Sequence, residues 1–308
     1  MLAIIAPGQG SQTPGFLNSW LEDKRLADRL AEWSDAVGLD LAHLGTVAGA
    51  EEIRATANAQ PLLVGAGLLG MKSLGIVNFS VAAGHSVGEI TAASIAEVLS
   101  AHDAMTLVRE RGLAMAVAAA QSPTGMSAVL GGEHDNVLAV IASLGLIAAN
   151  NNGAGQIVAA GDLDDLAKLA ENPPTGARVR ALAVAGAFHT PVMQPAVGHL
   201  REFATHLQVT DPSVTVLSNK DGEKVSLGQA VLDRIVNQIA NPVRWDLCMQ
   251  TMGDLGITGV LELPPAGTLV GLIKRALPNV ETFALKTPED IDAAKDFISR
   301  HGESVGAQ

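Results

Sequence analysis

The stretch Gly84-His85-Ser86-Val87-Gly88 is the most informative part of this sequence. Apolar residues 77–83 before it predict a strand, and residues 87–99 after it predict a helix. The pattern G-x-S-x-G between a strand and a helix indicates a tight turn, whose glycines let the neighbouring elements pass closely. Such a turn presents its serine beside the first N–H groups of the helix, where an oxyanion is stabilised. It therefore predicts that Ser86 is a nucleophile and that the N–H of Val87 is an oxyanion donor.

Strands and helices alternate on both sides of this turn. Residues 1–125 and 188–308 follow an α/β pattern, in which short apolar strands, such as 2–6, are separated by helical segments, such as 20–37, 190–207 and 269–276. Residues 126–187 instead follow the order strand-helix-strand-strand-helix-strand, which is typical of a ferredoxin-like unit. We therefore predict an α/β fold with a large catalytic subdomain (1–125 and 188–308) and an inserted α+β small subdomain (126–187).

The composition excludes several classes of function. The chain has 308 residues, a formal net charge of -12 and a hydrophobic fraction of 48%. A globular protein without a basic face is a poor ligand for nucleic acid or an anionic membrane. The single cysteine, Cys248, lies in an apolar stretch, which predicts a buried, unreactive thiol and fits a reducing compartment. Apolar residues 1–6 are too few for a signal peptide, and we see no apolar run of about 18 residues that could span a membrane. We therefore expect a cytoplasmic protein. We also expect it to be a monomer.

A nucleophilic serine needs a base, and His189 is the best candidate among eight histidines. It lies in Gly186-Ala-Phe-His-Thr-Pro191, a strand-to-helix loop of the kind that carries active-site residues. His85 adjoins Ser86, and adjacent positions in a tight turn point apart, so we expect it to support the turn. No acidic residue between Ser86 and His189 stands at a clear strand end. The sequence therefore predicts a Ser–His dyad, in which a group other than a carboxylate orients the histidine.

Two further motifs are compatible with acyl chemistry but admit ordinary interpretations as well. Gly8-Gln9-Gly10-Ser11-Gln12 follows the first strand, and it lacks the full pattern of a dinucleotide loop or a P-loop. Gln9 could offer N–H groups to an oxyanion, or the loop could be a simple glycine turn. Arg109 and Arg111 lie on the second helix after Ser86. Both could face solvent, or one could turn inward as a bidentate clamp for a carboxylate.

Taken in order along the chain, these motifs resemble the malonyl-CoA:acyl carrier protein transacylase family. No single motif is specific, but the ordered set spans nearly the whole chain. The matching stretches are Ala6-Pro-Gly-Gln-Gly-Ser-Gln12, Gly84-His-Ser-Val-Gly-Glu89, Arg111-Gly112 with Met115, Gly125-Met-Ser-Ala128, Gly155-Gln-Ile-Val158, Gly186-Ala-Phe-His-Thr-Pro191 and Asn241-Pro-Val-Arg-Trp245.

The resemblance implies a fold and a set of residue roles. The fold is an α/β-hydrolase-like large subdomain with a ferredoxin-like α+β small subdomain. Ser86 corresponds to the family's nucleophile and His189 to its base, and Gln9 and the Val87 N–H correspond to the oxyanion hole. The backbone carbonyl of Gln238 corresponds to the group that orients the histidine. The substrate-binding residues that the resemblance implies are Arg111 as carboxylate clamp, Met115 and Phe188 as acyl-pocket walls, Asn152 near the thioester, and His85.

The implied reaction takes malonyl-CoA and acyl carrier protein as partners and uses no cofactor and no metal. The sequence departs from the family at Leu263-Pro-Pro-Ala-Gly267, where Gly-Pro-Gly is usual, and in an Asn-rich loop at 150–154. An acidic carrier protein would need a local basic patch, for which Lys274-Arg275 and Arg178 with Arg180 are candidates. A stand-alone polyketide acyltransferase remains an alternative. A serine esterase or a non-catalytic carrier-binding subunit fits less well, because no third acid is evident and both Ser86 and His189 are present.

Overall fold

Six strands form the larger of two sheets. The computed structural model describes residues 1–302. In the larger sheet all neighbours are parallel except the last pair, and the order is β11-β10-β1-β2-β7-β8. These strands are β1 (Leu2–Ala6), β2 (Val81–Gly84), β7 (Thr215–Leu217), β8 (Lys224–Val225), β10 (Gly259–Glu262) and β11 (Glu281–Ala284).

The smaller sheet has five strands in the order β6-β3-β5-β4-β9. Its strands are β3 (Thr124–Gly131), β4 (Ile147–Asn151), β5 (Gln156–Asp162), β6 (Ala177–Ala181) and β9 (Val243–Arg244). The first four pair antiparallel in the ferredoxin-like order, as the sequence pattern predicted. β9 was not predicted. It comes from a distant part of the chain and pairs parallel with β4, with Asn150 opposite Val243 and Asn151 opposite Arg244.

Thirteen α-helices within residues 1–302 cover the two sheets. They are α1 (Lys24–Val37), α2 (Leu41–Thr46), α3 (Ala50–Arg54), α4 (Thr56–Leu74), α5 (Gly88–Ile95), α6 (Ala101–Ala119), α7 (His134–Ser143), α8 (Leu163–Glu171), α9 (Gln194–Ala204), α10 (Gly228–Gln238), α11 (Trp245–Asp254), α12 (Leu269–Ala276) and α13 (Ile291–His301). In the described part of the chain, none of them combines the length and the apolar character that a membrane crossing requires.

The central strand β1 shows why helices cover both faces of the larger sheet. All five of its residues are buried. Leu2 and Ile4 join one hydrophobic cluster, whereas Ala3 and Ile5 join another. Because successive side chains of a strand point to opposite faces, a strand that is apolar throughout requires a helical layer on each side.

The smaller sheet also has two buried faces, but only one of them belongs to its own helices. Val129 and Ile157 pack with α7 and α8 in a separate cluster. Met126 and Val158 point the other way and join the main cluster, which includes Met115 and Phe188 of the rest of the chain. The second face of the smaller sheet therefore forms one wall of a shared core.

Several predicted elements have different bounds in the structure. The predicted helix 20–37 is split into a 3-10 turn at Trp20–Glu22 and α1, because Asp23 is extended and accepts a hydrogen bond from the N–H of Arg25. The helix predicted over 87–99 ends at Ile95, before Glu97 adopts a left-handed φ of 65°. α2, α3 and α13 were not predicted.

Candidate active site

Ser86 lies at the carboxyl end of a parallel strand, where open α/β sheets place their sites. Gly84 ends β2, Val87 is the N-cap of α5, and Ser86 between them has a φ of 53°. A left-handed conformation is costly for a residue with a Cβ, so the surrounding chain must hold it in place. The glycines permit the close approach, because a Cβ on Gly88 would lie 2.3 Å from the carbonyl oxygen of Ala6.

The structure brings His189 to Ser86 across 103 residues of chain. The Nε2 atom of His189 lies 2.7 Å from the Oγ of Ser86. Its Nδ1 lies 2.8 Å from the backbone carbonyl oxygen of Gln238, which fixes the tautomer with the proton on Nδ1 and leaves Nε2 as an acceptor. The backbone N–H of His189 also donates to the carbonyl of Ile239 at 3.0 Å. Within residues 1–302, no carboxylate hydrogen-bonds to His189.

The electrostatic environment keeps His189 neutral. Burial, which is the largest cause, and the positive charge of Arg111 together lower the pKa of His189 to about 3, against the opposing effect of the Gln238 carbonyl. A neutral imidazole can accept a proton from a hydroxyl, whereas an imidazolium cannot. His189 can therefore act as a general base for the hydroxyl of Ser86.

Arg111 is a buried cation close to the Ser86–His189 pair, and all three residues line one cavity. Its side chain is only 1% exposed, and its guanidinium donates to the Oε1 atoms of Gln60 at 2.6 Å and Gln238 at 2.8 Å. Both acceptors are neutral amides, and the buried Nε has no hydrogen-bond partner among residues 1–302. Burial lowers the pKa of Arg111 to about 10, so it remains charged at neutral pH. A buried guanidinium without a direct carboxylate partner favours an anionic ligand.

A cavity of about 300 Å³ opens over these groups. Residues from both sheets line it: Gly8, Gln9, Gly10, Gln60, His85, Ser86, Val87, Arg111, Met115, Met126, Ala128, Asn150, Asn152, Gln156, Val158, Leu182, Val184, Phe188, His189, Thr268, Leu269 and Leu272. Nine of the ten predicted site residues are therefore at its wall. Gln238 is the exception, and it lies behind the wall, in contact with His189 and Arg111.

The remaining predicted residues have identifiable contacts. The Nε2 of Gln9 donates to the carbonyl of Arg54 at 3.3 Å, which ties the loop after β1 to α3. His85 points away from the dyad: its Nε2 lies 2.8 Å from Asn152 Oδ1, and its ring meets Trp245 edge-on at 5.9 Å. The His85–Asn152 contact joins the serine turn to the smaller sheet. Met115 and Phe188 are buried apolar walls.

Among the backbone N–H groups of the serine turn, those of His85, Ser86 and Gly88 are already occupied. The backbone N–H of Ser86 donates to Asn219 Oδ1 at 2.8 Å. Val87 is the N-cap residue of α5, and its N–H is one of the terminal donors that have no partner within the helix. The geometry therefore favours Val87, and not Ser86, as the donor to an oxyanion at this site.

Three polar residues of the site were missed in the sequence. They are Gln60, which bonds Arg111, and Asn219 and Glu89, which form a buried network behind the serine turn. Burial raises the pKa of Glu89 to about 7, against the opposing effects of the Asn219 N–H and the Arg111 charge. Asn219 could have been suspected, because it follows β7, the neighbour of β2, at the same edge of the sheet.

Other polar groups of the chain do not form a second centre. Among residues 1–302, no three His, Cys, Asp or Glu side chains are grouped so that they could hold a metal ion. Cys248 is fully buried, and burial raises the pKa of its thiol, which keeps it protonated. The basic side chains Arg178, Arg180, Lys274 and Arg275 are all exposed.

Comparison with known proteins identifies the family of this chain. Residues 4–294 match the model of the acyl transferase domain family. The malonyl CoA-acyl carrier protein transacylase of Mycobacterium tuberculosis is 52% identical over 297 residues, which cover 95% of this chain and 98% of the relative.

Solved structures give the same result. The crystal structure of MCAT from Mycobacterium tuberculosis superposes with a TM-score of 0.92 at 51% identity, covering 96% of this chain and 99% of the other. A malonyl-transacylase in complex with its type II PKS acyl-carrier protein superposes with a TM-score of 0.90 at 28% identity, covering 96% and 99%. The chain therefore belongs to the acyl transferase domain family and, within it, to the malonyl-CoA:acyl carrier protein transacylases.

Proposed function

We propose that this protein transfers a malonyl group from malonyl-CoA to the phosphopantetheine thiol of acyl carrier protein, by way of malonyl-Ser86, in fatty acid biosynthesis. Family membership supports the reaction, and one observation carries the chemistry. The Ser86–His189 pair, at 2.7 Å, opens into a cavity whose wall also holds the buried charge of Arg111. A nucleophile and a carboxylate clamp in one pocket are what a malonyl thioester requires.

In the first half-reaction, Ser86 Oγ attacks the thioester carbonyl while His189 Nε2 takes the hydroxyl proton. The Val87 N–H and Gln9 stabilise the tetrahedral oxyanion, a contribution of about 3 kcal/mol per donor in other enzymes. The C–S bond then breaks, and the CoA thiolate receives the proton from His189. In the second half-reaction, His189 takes the proton of the carrier's thiol as the sulfur attacks the carbonyl of malonyl-Ser86. The ester C–O bond then breaks, and Ser86 Oγ receives that proton from His189.

Arg111 selects the acyl group. Within residues 1–302 its guanidinium hydrogen-bonds to amide oxygens and to no carboxylate, so a malonyl carboxylate completes a pair that a neutral acetyl group cannot form. Met115 and Phe188 enclose the remaining apolar surface of the acyl chain. These apolar side chains also limit the access of water to the acyl-serine, which favours transfer over hydrolysis.

The other predictions about the molecule follow from this chemistry as proposals. Each proton transfer and charge is assigned to a side chain or backbone group, so the reaction needs no cofactor. A carrier-dependent reaction and a single buried cysteine support work in the cytoplasm. The division into a catalytic subdomain (1–125 and 188–308) and a small subdomain (126–187) is supported by the separate cluster that the smaller sheet forms with α7 and α8.

Mass spectrometry tests the proposal. The protein is incubated with malonyl-CoA, digested, and searched for malonyl on the peptide that contains Ser86. We expect an adduct that disappears when carrier protein bearing phosphopantetheine is added, with malonyl appearing on the carrier. The Ser86→Ala variant should form none. An absent adduct, or free malonate without transfer, would contradict the proposal.

A further inference from the structure

Glu89 is a buried carboxylate that the mechanism above does not use. It lies in the first turn of α5, three residues after the nucleophile, and its side chain is 5% exposed. A buried carboxylate is costly unless its oxygens accept hydrogen bonds, so its partners show what it is for. Neither oxygen faces the substrate cavity, because Glu89 does not line it.

Both oxygens of Glu89 are occupied, and each by a different element. Oε1 accepts the backbone N–H of Asn219 at 2.5 Å, and Oε2 accepts the Nε2 of Gln238 at 2.5 Å. Asn219 follows β7 and Gln238 ends α10. Behind the serine turn, the carboxylate therefore joins the segment after β7 to the end of α10.

Each partner in turn holds one half of the dyad. The backbone carbonyl of Gln238 accepts a hydrogen bond from Nδ1 of His189 at 2.8 Å. The Nε2 of Gln238 also donates to the carbonyl of Ser86 at 3.0 Å. Asn219 accepts the Ser86 N–H on Oδ1 and donates from Nδ2 to the carbonyl of Gly84, both at 2.8 Å. Glu89 is thus one residue removed from the base and from both ends of the strained serine.

We propose that Glu89 is a positioning residue, whose carboxylate holds Gln238 and Asn219 so that His189 and the strained Ser86 meet at reactive distance. The inference rests on the proposed function, because it assumes that this pair performs the chemistry. A neutral amide cannot replace the carboxylate: both partners donate, and an amide has a single oxygen, so its NH₂ would face a donor.

The test measures the reactivity of Ser86 without malonyl-CoA. A fluorophosphonate probe forms a P–O bond to Ser86 Oγ and releases fluoride, while His189 takes the proton. The rate therefore reports on the dyad and not on carboxylate recognition. We expect Glu89→Gln to slow labelling by about 10- to 100-fold, since small misplacements of reacting groups have effects of this size. Labelling within about twofold of the wild-type rate would overturn the proposal.

Glu262→Gln is the matched control. Glu262 is also fully buried, and it accepts backbone N–H groups of Gly267, Leu269 and Val270 at the start of α12. It should lose stability in thermal unfolding as Glu89→Gln does, yet label at close to the wild-type rate. If both variants slow labelling equally, the effect is one of stability and the proposal fails.

A double variant tests the route of the effect. If Glu89 acts partly through the Gln238 side chain, Glu89→Gln and Gln238→Ala remove the same contact. The combined loss of labelling should then fall well short of the product of the single losses. A full product would contradict the route through Gln238.

A variant that retains the charge covers the case in which Glu89→Gln does not fold. Glu89→Asp withdraws the carboxylate by one carbon and should slow labelling by less than the amide, and an unchanged rate would overturn the proposal. Failure of the proposed function would look different, since the wild-type protein would then label with the probe but form no malonyl adduct.

Discussion

Ser86 and His189 both have left-handed backbone conformations, with φ angles of 53° and 61°. Such angles are uncommon for residues with a Cβ and cost free energy, which the rest of the fold must supply. At Ser86 the compensating contacts come from Asn219 and Gln238, and at His189 from the carbonyls of Gln238 and Ile239. The reactive distance is therefore a property of the surrounding hydrogen bonds as much as of the two side chains.

The depressed pKa of His189 gives a prediction at this scale. Burial lowers the value from 6.5 to about 3, so the folded protein should bind the proton only at much lower pH than an unperturbed histidine. The imidazole NMR signals of His189 should remain those of the neutral ring from pH 7.5 down to pH 5. Assignment follows from the signals lost in His189→Gln. A midpoint above pH 5 would show that solvent reaches the ring.

Arg111 gives a second prediction. Removing a buried charge that pairs with the substrate should cost malonyl transfer at least about 100-fold in kcat/KM. Transfer of acetyl from acetyl-CoA should fall much less in Arg111→Ala, because acetyl has no carboxylate. Arg109→Ala is the control: Arg109 lies on the same helix, donates to the carbonyl of Ala57 and does not line the cavity. Equal losses of malonyl and acetyl transfer would mean that Arg111 is structural.

Local sequence predicted the proposed nucleophile and base but not the residues that hold them in place. Ser86 and His189 stand in short motifs whose turns are readable from neighbouring residues. The role of Gln238 came only from family resemblance, because a backbone carbonyl has no side-chain signature. Glu89 and Asn219 bond across 130 residues, and no local pattern records such a contact.

At the scale of elements, the serine turn depends on how closely β1, β2 and α5 approach. A Cβ on Gly84 would lie 2.0 Å from the backbone of Gly88, and a Cβ on Gly88 would lie 2.3 Å from the carbonyl oxygen of Ala6. Backbone atoms cannot rotate away as a flexible side chain can. These glycines are therefore required by the crossing of the elements.

Substitution of Gly88 should separate this requirement from helix propensity. We expect Gly88→Ala to lower the free energy of unfolding in urea by about 1–3 kcal/mol, and to slow probe labelling of Ser86, because the turn must shift. Gly198→Ala is the counterpart, since Gly198 is an exposed position of α9 with open space around a Cβ. The free energy of unfolding of Gly198→Ala should rise by about 0.5–1 kcal/mol, because alanine favours the helix more than glycine does. A stable, active Gly88→Ala would contradict the crossing seen here.

Elements with strong apolar patterns were predicted within a few residues, as β1 and α12 illustrate. The errors fall where local rules compete. The helix predicted over 190–207 begins as a 3-10 turn at Pro191–Met193, and Pro195 then lies in the first turn of α9. β9 has only two residues, and its partner strand lies about ninety residues earlier, so its pairing is a tertiary event with no sequence signal of its own.

At the scale of the whole molecule, the two sheets share one core. Met126 and Val158 of the smaller sheet lie in the same cluster as Met115 and Phe188, and the β4–β9 pairing adds backbone hydrogen bonds between the two parts of the chain. Parts that share this much buried surface should unfold together. We expect one calorimetric endotherm, with calorimetric and van't Hoff enthalpies that agree. Two resolved endotherms would show that residues 126–187 unfold independently.

The short strand β9 also limits how this protein could be recombined with its relatives. The ferredoxin-like segment is continuous in sequence and would be the natural cassette for building chimeras. Its last strand neighbour, however, is Val243–Arg244, which begins five residues after the carbonyl that orients His189. A transplanted segment that does not pair well with β9 would shift Gln238 and, through it, the ring of His189. Successful grafts should therefore carry residues 238–244 along with the cassette.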